Sequence, residues 1–288
     1  MTNKNLIVLA TYWNEIEWIN ANLSQILKLN PIEVVLCDGN FDPRVPNYST
    51  DGTSQIIDDF VRNAPFRCIK INAIRRKDHL LTFPKSNLFR CKNNKIIFSL
   101  GSIKNSIYSK FILNSYRVNQ ALTFAYMSKL CNHWNSFNWF MTLDADQFYT
   151  ESLIENIHIV LDDNPNSYQL MTANELTFPF DFFHYTTKYE KRTWNNMPHK
   201  ICDNISFYPT RHPMLENCFL SKTYQNNVKT IHLGEYHHYK FRSSLSRLNA
   251  GYSLGDRQPP RPERYEDLIN YVGTYPNSIL ENFESIVS

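Results

Sequence analysis

Three things are scarce in this chain: glycine, net charge and long apolar runs. Its seven glycines form no glycine-rich loop near the amino terminus, the kind of loop that cradles a nucleoside triphosphate. A net charge of +3 is too small for the basic surface of a nucleic-acid-binding protein. No segment approaches the ~18–20 consecutive apolar residues of a membrane span. We therefore expect a soluble protein without a nucleic-acid partner, for which peripheral association with a membrane is still open.

The six cysteines are scattered and include no Cys-x-x-Cys pair, so neither a zinc site nor a disulfide framework is indicated. The amino terminus has a short apolar run but no small-residue cleavage site before the polar pair Asn14 and Glu15. This pattern is typical of a first strand and not of a signal peptide. We expect reduced thiols and a cytoplasmic location.

The order of apolar segments predicts an α/β fold. Residues 6–10 are a continuous apolar run, as in a strand covered on both faces, and residues 33–37 (EVVLC) are predicted to be a second buried strand. Residues 15–29 between them carry apolar side chains at helical spacing. Strand, helix and strand of these lengths form a right-handed βαβ unit. Ligands of such units bind at the carboxyl ends of the strands.

The remaining elements are weaker. Further helices are predicted over residues 54–61, 115–130, 265–272 and 277–287, further strands over 66–71 and 168–173, and a hairpin over 88–100. We expect one domain over residues 1–288 with a continuous, mostly parallel sheet flanked by helices. It is regular over residues 1–150, irregular over residues 151–250 and helical in the tail, residues 251–288.

The stretch NWFMTLDADQFY, residues 138–149, carries the chemistry. An apolar strand runs straight into Asp144 and Asp146, which places charge at the carboxyl end of the sheet. Two carboxylates so close are unfavourable unless a cation neutralises them. The alternative is that both residues merely cap the helix that begins near Thr150.

Five fragments together resemble the GT-A-fold glycosyltransferases, specifically the broad family 2 type. They are LATYWNE (9–15), VVLCDG (34–39), STDGT (49–53), YRVNQA (116–121) and LDADQF (143–148), and a further stretch, HHYKFRSSLSRL (237–248), is similar to a downstream His-Tyr…Ser segment of that group. The chain departs from the family where an insertion opens the usual compact loop before STDGT. Asp51 in that loop is expected to hydrogen-bond local backbone amides.

The resemblance implies a nucleotide-sugar donor, UDP-linked by expectation, and a glycan or glycoconjugate acceptor. The residues implied in donor binding are Thr11, Tyr12, Glu15, Asp38, Arg117 and Asp144. Asp146, with Asp144, would hold a divalent metal, and His238 or else His237 would be a further ligand. Oxygen donors suit Mg²⁺ or Mn²⁺, and an imidazole would favour Mn²⁺.

An inverting transfer, the usual outcome in this family, needs a carboxylate that deprotonates the acceptor hydroxyl. Glu216 in PMLENCF is the first candidate, and Glu175 and Asp181 compete with it. Trp194, Tyr185 and residues 182–183 form either a sugar-stacking platform or part of the core. Two rival functions are left: a sugar-1-phosphate nucleotidyltransferase, disfavoured by the missing glycine-rich loop, and a non-catalytic carbohydrate-binding protein.

Overall fold

The structure is a computed structural model. It describes residues 5–42, 45–75, 88–92, 95–99, 116–163, 168–186, 192–193, 196–202, 205–207, 229–241 and 267–283. The helices are α1 (Ile19–Leu29), α2 (Thr53–Asn63), α3 (Tyr116–Leu130), α4 (Glu151–Asp163) and α5 (Asn277–Leu280). The strands are β1 (Leu6–Tyr12), β2 (Glu33–Asp38), β3 (Arg67–Asn72), β4 (Leu88–Lys92), β5 (Lys95–Ser99), β6 (Trp139–Asp144), β7 (Gln147–Tyr149), β8 (Leu170–Phe178), β9 (His184–Thr186), β10 (Arg192–Thr193), β11 (His199–Lys200), β12 (Ser206–Phe207), β13 (Thr230–Tyr239) and β14 (Leu268–Asn270).

A mixed sheet runs through the described part of the chain, with strand order β14-β9-β8-β11-β6-β1-β2-β3. β6, β1, β2 and β3 are parallel to one another. β11 is antiparallel to both β6 and β8, and it therefore joins the strands of the second half to those of the first. The prediction of an α/β fold on one continuous sheet is confirmed, but antiparallel pairings are more numerous than a mostly parallel sheet implies.

β1 has a core on each of its two faces, which explains its unbroken apolar sequence. Leu6, Val8 and Ala10 pack into one core with residues of α1, α2 and α4. Ile7 and Leu9, on the other face, pack into a second core with residues of α3. The sheet is thus flanked by helices on both sides, as an α/β architecture requires.

α1 begins at Ile19, four residues later than the sequence predicts. Asn14 has a positive φ of 51°. The carbonyl oxygen of Glu15 accepts hydrogen bonds from the backbone amides of Trp18 and Ile19, which forms a separate turn before the helix. The helix ends where Asn30 adopts a left-handed conformation, with its amide directed at the last helical carbonyls. The extra turn places residues 13–18 above the carboxyl end of β1.

Outside the main sheet, β12, β4 and β5 form a small antiparallel sheet. β4 and β5 pair with Lys92 opposite Lys95, so the predicted hairpin is confirmed. The tail differs from the prediction. Residues 268–270 are a strand paired with β9 and not a helix, because Leu268 and Ile269 are exposed and provide no apolar stripe for a helix to bury. The predicted helix over residues 277–287 is a single turn, α5, within the described residues.

Two expectations from composition can be compared with the structure. No helix within the described residues is both long and apolar enough to cross a bilayer. Cys202 is disulfide-bonded, so the prediction of reduced thiols is wrong at this position. Because disulfides are rare in the cytosol, this bond does not support the predicted cytoplasmic location.

Candidate functional site at the carboxyl ends of the strands

The carboxyl ends of β1, β2 and β6 meet at one edge of the sheet. In the parallel registers Thr11 lies opposite Asp144, and Tyr12 lies opposite Asp38. The structure therefore brings together the strand-end residues that the sequence predicts for donor binding. Their proximity follows from parallel pairing, which aligns the carboxyl ends of neighbouring strands.

Asp38 is fully buried at the end of β2. One carboxylate oxygen accepts a hydrogen bond from the amide of Ser49 at 3.0 Å, and the other lies 3.5 Å from Nζ of Lys70. Gly39 follows with a φ of 149°, and a side chain there would collide with the carbonyl oxygen of Asn47. A glycine is therefore required for the loop to return across the end of β2.

The loop that contains STDGT is fastened to the segment after β1. Asp51 accepts from the amides of Ile16 at 3.1 Å and Thr53 at 3.0 Å, as the sequence predicts. The side-chain oxygen of Asn14 accepts a hydrogen bond from the backbone amide of Thr50 at 2.9 Å. The backbone amide of Asn14 donates to Oγ of Ser49. These contacts close the edge of the site in spite of the insertion FDPRVPNY, residues 41–48.

Two amides of α1 hold the turn that contains Asp144 and Asp146. The Asn22 side chain donates to the carbonyl oxygens of Asp144 and Gln147, each at 3.3 Å. Gln25 donates to the carbonyl of Gln147 at 3.1 Å and accepts from the amide of Tyr149. Sequence reasoning missed both residues. The available signal was an amide side chain on the buried face of a helix, where it has to find a polar partner.

A third amide side chain, that of Asn196 in the loop before β11, contacts the same turn and the neighbouring strand β6. Asn196, which has a positive φ of 59°, accepts from Oγ1 of Thr142 at 2.6 Å and donates to the side chain of Gln147. The hydroxyl of Tyr149 donates to the carbonyl of Asn196. No periodicity in the sequence connects residue 196 to this turn, because the contact forms across the sheet.

β13 carries the downstream histidines to the turn. It pairs antiparallel with β7, with His238 opposite Gln147, and the amide of Tyr239 donates to the carbonyl of Asp146 at 2.9 Å. It also pairs in parallel with β8, with His238 opposite Thr177. The pairing with two strands fixes the register of β13, and the register places His238 next to Asp146.

His238 lies between two carboxylates. Its Nε2 is 3.3 Å from Oδ2 of Asp146, and its Nδ1 is 2.7 Å from Oε1 of Glu175. Burial alone would lower the pKa of His238, but the two carboxylates outweigh it and raise the pKa to about 9. Nδ1 therefore donates a hydrogen bond to Glu175, and Nε2 faces Asp146.

Glu175 is not arranged as a general base. It accepts from Oγ1 of Thr177 and from the hydroxyl of Tyr236, each at 2.9 Å, in addition to its contact with His238. Burial alone would raise its pKa, but His238, with smaller contributions from Lys240 and Tyr236, lowers the pKa to about 2. A carboxylate with both oxygens bonded and so low a pKa is a poor proton acceptor, so we do not retain Glu175 as a base.

His237 points to the opposite face of the sheet from His238, as neighbouring residues of a strand must. It is fully buried, with Nδ1 2.8 Å from the hydroxyl of Tyr239 and Nε2 3.0 Å from the hydroxyl of Tyr271. Burial lowers its pKa to about 3, so it is neutral. We do not retain His237 as a metal ligand, because both of its ring nitrogens contact tyrosine hydroxyls and its ring packs against Phe178.

Asp181 belongs to a turn before β9. It accepts from the amides of Phe183 and His184, each at 2.8 Å, and its second oxygen lies 2.8 Å from Nδ1 of His184. These bonds lower the pKa of Asp181, although its burial acts in the opposite direction. The geometry is that of a turn cap, so we do not retain Asp181 as a base. Glu216 lies outside the described residues.

The other predicted donor-binding residues have different environments. Tyr12 is 1% exposed and its hydroxyl donates to Asn22 at 2.6 Å, so it has almost no surface to offer a ligand. Glu15 is likewise 1% exposed, and Thr11 is half-buried at the edge. Arg117 lies in the first turn of α3, and its side chain is outside the described part of the structure.

The proposed stacking platform is divided between core and surface. Phe182 packs against Trp18, Tyr239 and Phe283, which makes it part of an aromatic core. Phe183 is 48% exposed. Trp194 lies outside the described residues, so a platform that includes it stays a prediction.

Asp146 and His238 fit a divalent cation as neighbouring ligands. Two ligands at right angles around Mg²⁺ or a similar ion are about 3 Å apart, close to the 3.3 Å between Oδ2 and Nε2. Within the described residues no three His, Cys, Asp or Glu side chains converge as a metal site. An ion held by this pair alone would have to complete its coordination with substrate phosphates and water, as Mg²⁺ commonly does.

Comparisons with known proteins found no match, either among protein-family models or among curated proteins.

Proposed function

We propose that this protein is a metal-dependent, inverting glycosyltransferase of the GT-A type. It would transfer a hexosyl or pentosyl group from a nucleotide-sugar, UDP-linked in the proposal, to a hydroxyl of a glycan acceptor. The observation that supports this proposal best is the pairing of Asp146 with His238 at the carboxyl edge of the parallel strands. The pair is distant in sequence and lies where α/β folds bind nucleotides.

The donor would lie across the ends of β1, β2 and β6. Thr11, which is half-buried, is proposed at the nucleoside, and Asp144, which is half-buried at the end of β6, at the ribose. Asp38 is fully buried and accepts from the amide of Ser49, so its proposed part is to hold the loop beside the nucleoside. Asp146 and His238 would hold Mn²⁺ or Mg²⁺. The bound ion would neutralise the charge that develops on the leaving diphosphate.

Lys240 is proposed to contact the same diphosphate. It follows His238 by two residues at the end of β13, and its charge acts on the carboxylate of Glu175. A second cation at this position would complement the negative charge of the donor.

In the reaction the acceptor oxygen forms a bond to the anomeric carbon while the bond from that carbon to the diphosphate oxygen breaks. The acceptor proton passes to a carboxylate base and the nucleoside diphosphate leaves. Since Glu175 and Asp181 are committed to other contacts, Glu216 is the residue that we propose as the base. Replacement of Glu216 by glutamine should abolish transfer and leave donor binding unchanged.

The first test is metal-dependent nucleotide binding. Free Mn²⁺ would be followed by electron paramagnetic resonance as protein is added with UDP present, for the wild type and Asp146→Asn. Asp59→Asn, which removes an exposed carboxylate on α2, is the matched control. We expect Mn²⁺ binding to weaken at least tenfold in Asp146→Asn and to be unchanged in the control.

Product analysis separates the rival functions. A glycosyltransferase should release UDP from one of a panel of UDP-sugars. The release should be slow when water is the acceptor and faster when a glycan acceptor is added. A nucleotidyltransferase should instead consume UTP and a sugar 1-phosphate, and a carbohydrate-binding protein should bind without turnover. If UDP does not bind in a Mn²⁺-dependent way, the proposal is wrong.

A further inference from the structure

Glu175 lies on the opposite side of the His238 ring from Asp146. Oε1 of Glu175 is 2.7 Å from Nδ1, whereas Oδ2 of Asp146 is 3.3 Å from Nε2. The ring is therefore held by one carboxylate on the nitrogen away from the proposed metal position. The Glu175 side chain is only 19% exposed, so water competes weakly for this bond.

Glu175 is itself fixed by its neighbours. Its Oε1 also accepts from Thr177, and its Oε2 accepts from the hydroxyl of Tyr236. Tyr236 lies opposite Glu175, and His238 lies opposite Thr177, in the parallel pairing of β8 and β13. The backbone register of two paired strands thus determines where the carboxylate stands relative to the imidazole.

We propose that Glu175 is a positioning residue for the metal site. It accepts the Nδ1–H of His238, and this bond fixes the ring and leaves Nε2 as the nitrogen that faces Asp146 and the divalent cation. Histidines that bind metals usually donate their other ring N–H to a carboxylate or carbonyl in this way. The inference rests on the proposed function, since it concerns the same metal.

The proposal gives Glu175 a role that differs from that of a base. Both of its oxygens accept hydrogen bonds within the protein, and one of them is bonded to the ring of His238. It should therefore change how tightly the metal is held. A base that acts only on the acceptor would leave metal affinity unchanged.

The test measures Mn²⁺ affinity directly. Mn²⁺ would be titrated in the presence of UDP, with detection of the free ion, for wild type, Glu175→Leu, Glu175→Gln and the control Asp59→Asn. Loss of such a carboxylate typically weakens metal binding about 10–100-fold, which we expect for Glu175→Leu. Glutamine keeps a neutral acceptor of the same length, so Glu175→Gln should recover most of the affinity and bind about 3–10-fold more weakly than wild type.

A second background separates positioning from general structural support. In His238→Gln the ring that Glu175 orients is gone, so Glu175→Leu should weaken Mn²⁺ binding no further. Circular dichroism would verify that each variant is folded. If Glu175→Leu does not fold, the Mn²⁺ affinity of Glu175→Gln relative to wild type still tests the proposal, because an unchanged affinity would overturn it.

The outcomes are distinguishable. If wild type binds Mn²⁺ with UDP and Asp146→Asn does not, but the Glu175 variants match wild type, this inference is overturned and the proposed function stands. Equal losses from Glu175→Leu with and without His238 would also overturn it. If wild type shows no Mn²⁺-dependent binding, both proposals are overturned.

Discussion

Replacement of Asn22 by leucine tests how the turn of Asp144 and Asp146 is held. Leucine has a similar volume but no polar atoms, so the buried hydroxyl of Tyr12 loses its 2.6 Å partner. An orphaned buried hydroxyl costs about 1–3 kcal/mol, and each of the two lost donations to the turn costs about 0.5–1.5 kcal/mol. Apolar burial of leucine offsets part of this, and we expect a net loss of about 2–4 kcal/mol in the free energy of unfolding.

A double-mutant cycle isolates the cause. Tyr12→Phe alone should destabilise the protein slightly, because Asn22 loses one hydrogen-bond partner. In the Asn22→Leu background, Tyr12→Phe removes the orphaned hydroxyl and should restore about 1–2 kcal/mol. Urea unfolding followed by tryptophan fluorescence and circular dichroism would give all four free energies.

Two results would refute this reasoning. One is a loss below about 0.5 kcal/mol for Asn22→Leu, which would mean that the hydrogen bonds of the Asn22 side chain contribute little to the free energy of unfolding. The other is an equal effect of Tyr12→Phe in both backgrounds, since the hydroxyl would then not depend on Asn22. Mn²⁺ binding by folded Asn22→Leu would add a functional readout, and we expect it to weaken because the turn carries Asp146.

Two further predictions concern the loop and the thiols. Asp51→Ala removes the hydrogen bonds that Asp51 accepts from the amides of Ile16, after β1, and Thr53, at the start of α2. We expect it to lower the free energy of unfolding by about 1–2 kcal/mol in urea, and a change below about 0.5 kcal/mol would contradict this role. Burial raises the pKa of Cys37 well above its usual value and that of Cys68 to about 12, from 9.0. With its pKa near 12, Cys68 has about 1,000-fold less thiolate at pH 8 than with a pKa of 9.0. Iodoacetamide should therefore label both cysteines in urea and leave them unlabelled in the native protein, as measured by mass spectrometry. Labelling of Cys202 should require prior reduction of its disulfide. If Cys68 is labelled in the native protein as fast as in urea, its raised pKa is refuted.

Local patterns were good predictors where one segment determines its own structure. The apolar run of β1 predicts a strand with two covered faces, and STDGT predicts a loop held by Asp51; both are confirmed. The tail shows where this reasoning fails. Residues 265–272 were predicted to be helical, but Leu268 and Ile269 bury little surface, and pairing with β9 decides their conformation.

The choice between His237 and His238 could not be made from sequence. The two residues are adjacent and chemically identical, and only the register of β13 against β7 and β8 decides which ring faces Asp146. The same register gives Glu175 its partner, so a residue predicted to be a base is instead bonded to a histidine. Asn196 was missed for a similar reason, since its contacts cross the sheet.

Local sequence was enough to predict the α/β plan, the position of Asp144 and Asp146 at the end of a buried strand, and the resemblance on which the proposed function rests. These depend on residues close together in the chain, whose spacing is visible without a fold. The assembly of the site became visible in the folded chain: which histidine lies beside Asp146, which carboxylate contacts that histidine, and which amide side chains hold the turn. Strand pairing sets those contacts, and a shift of one residue in a strand reverses the face of every side chain.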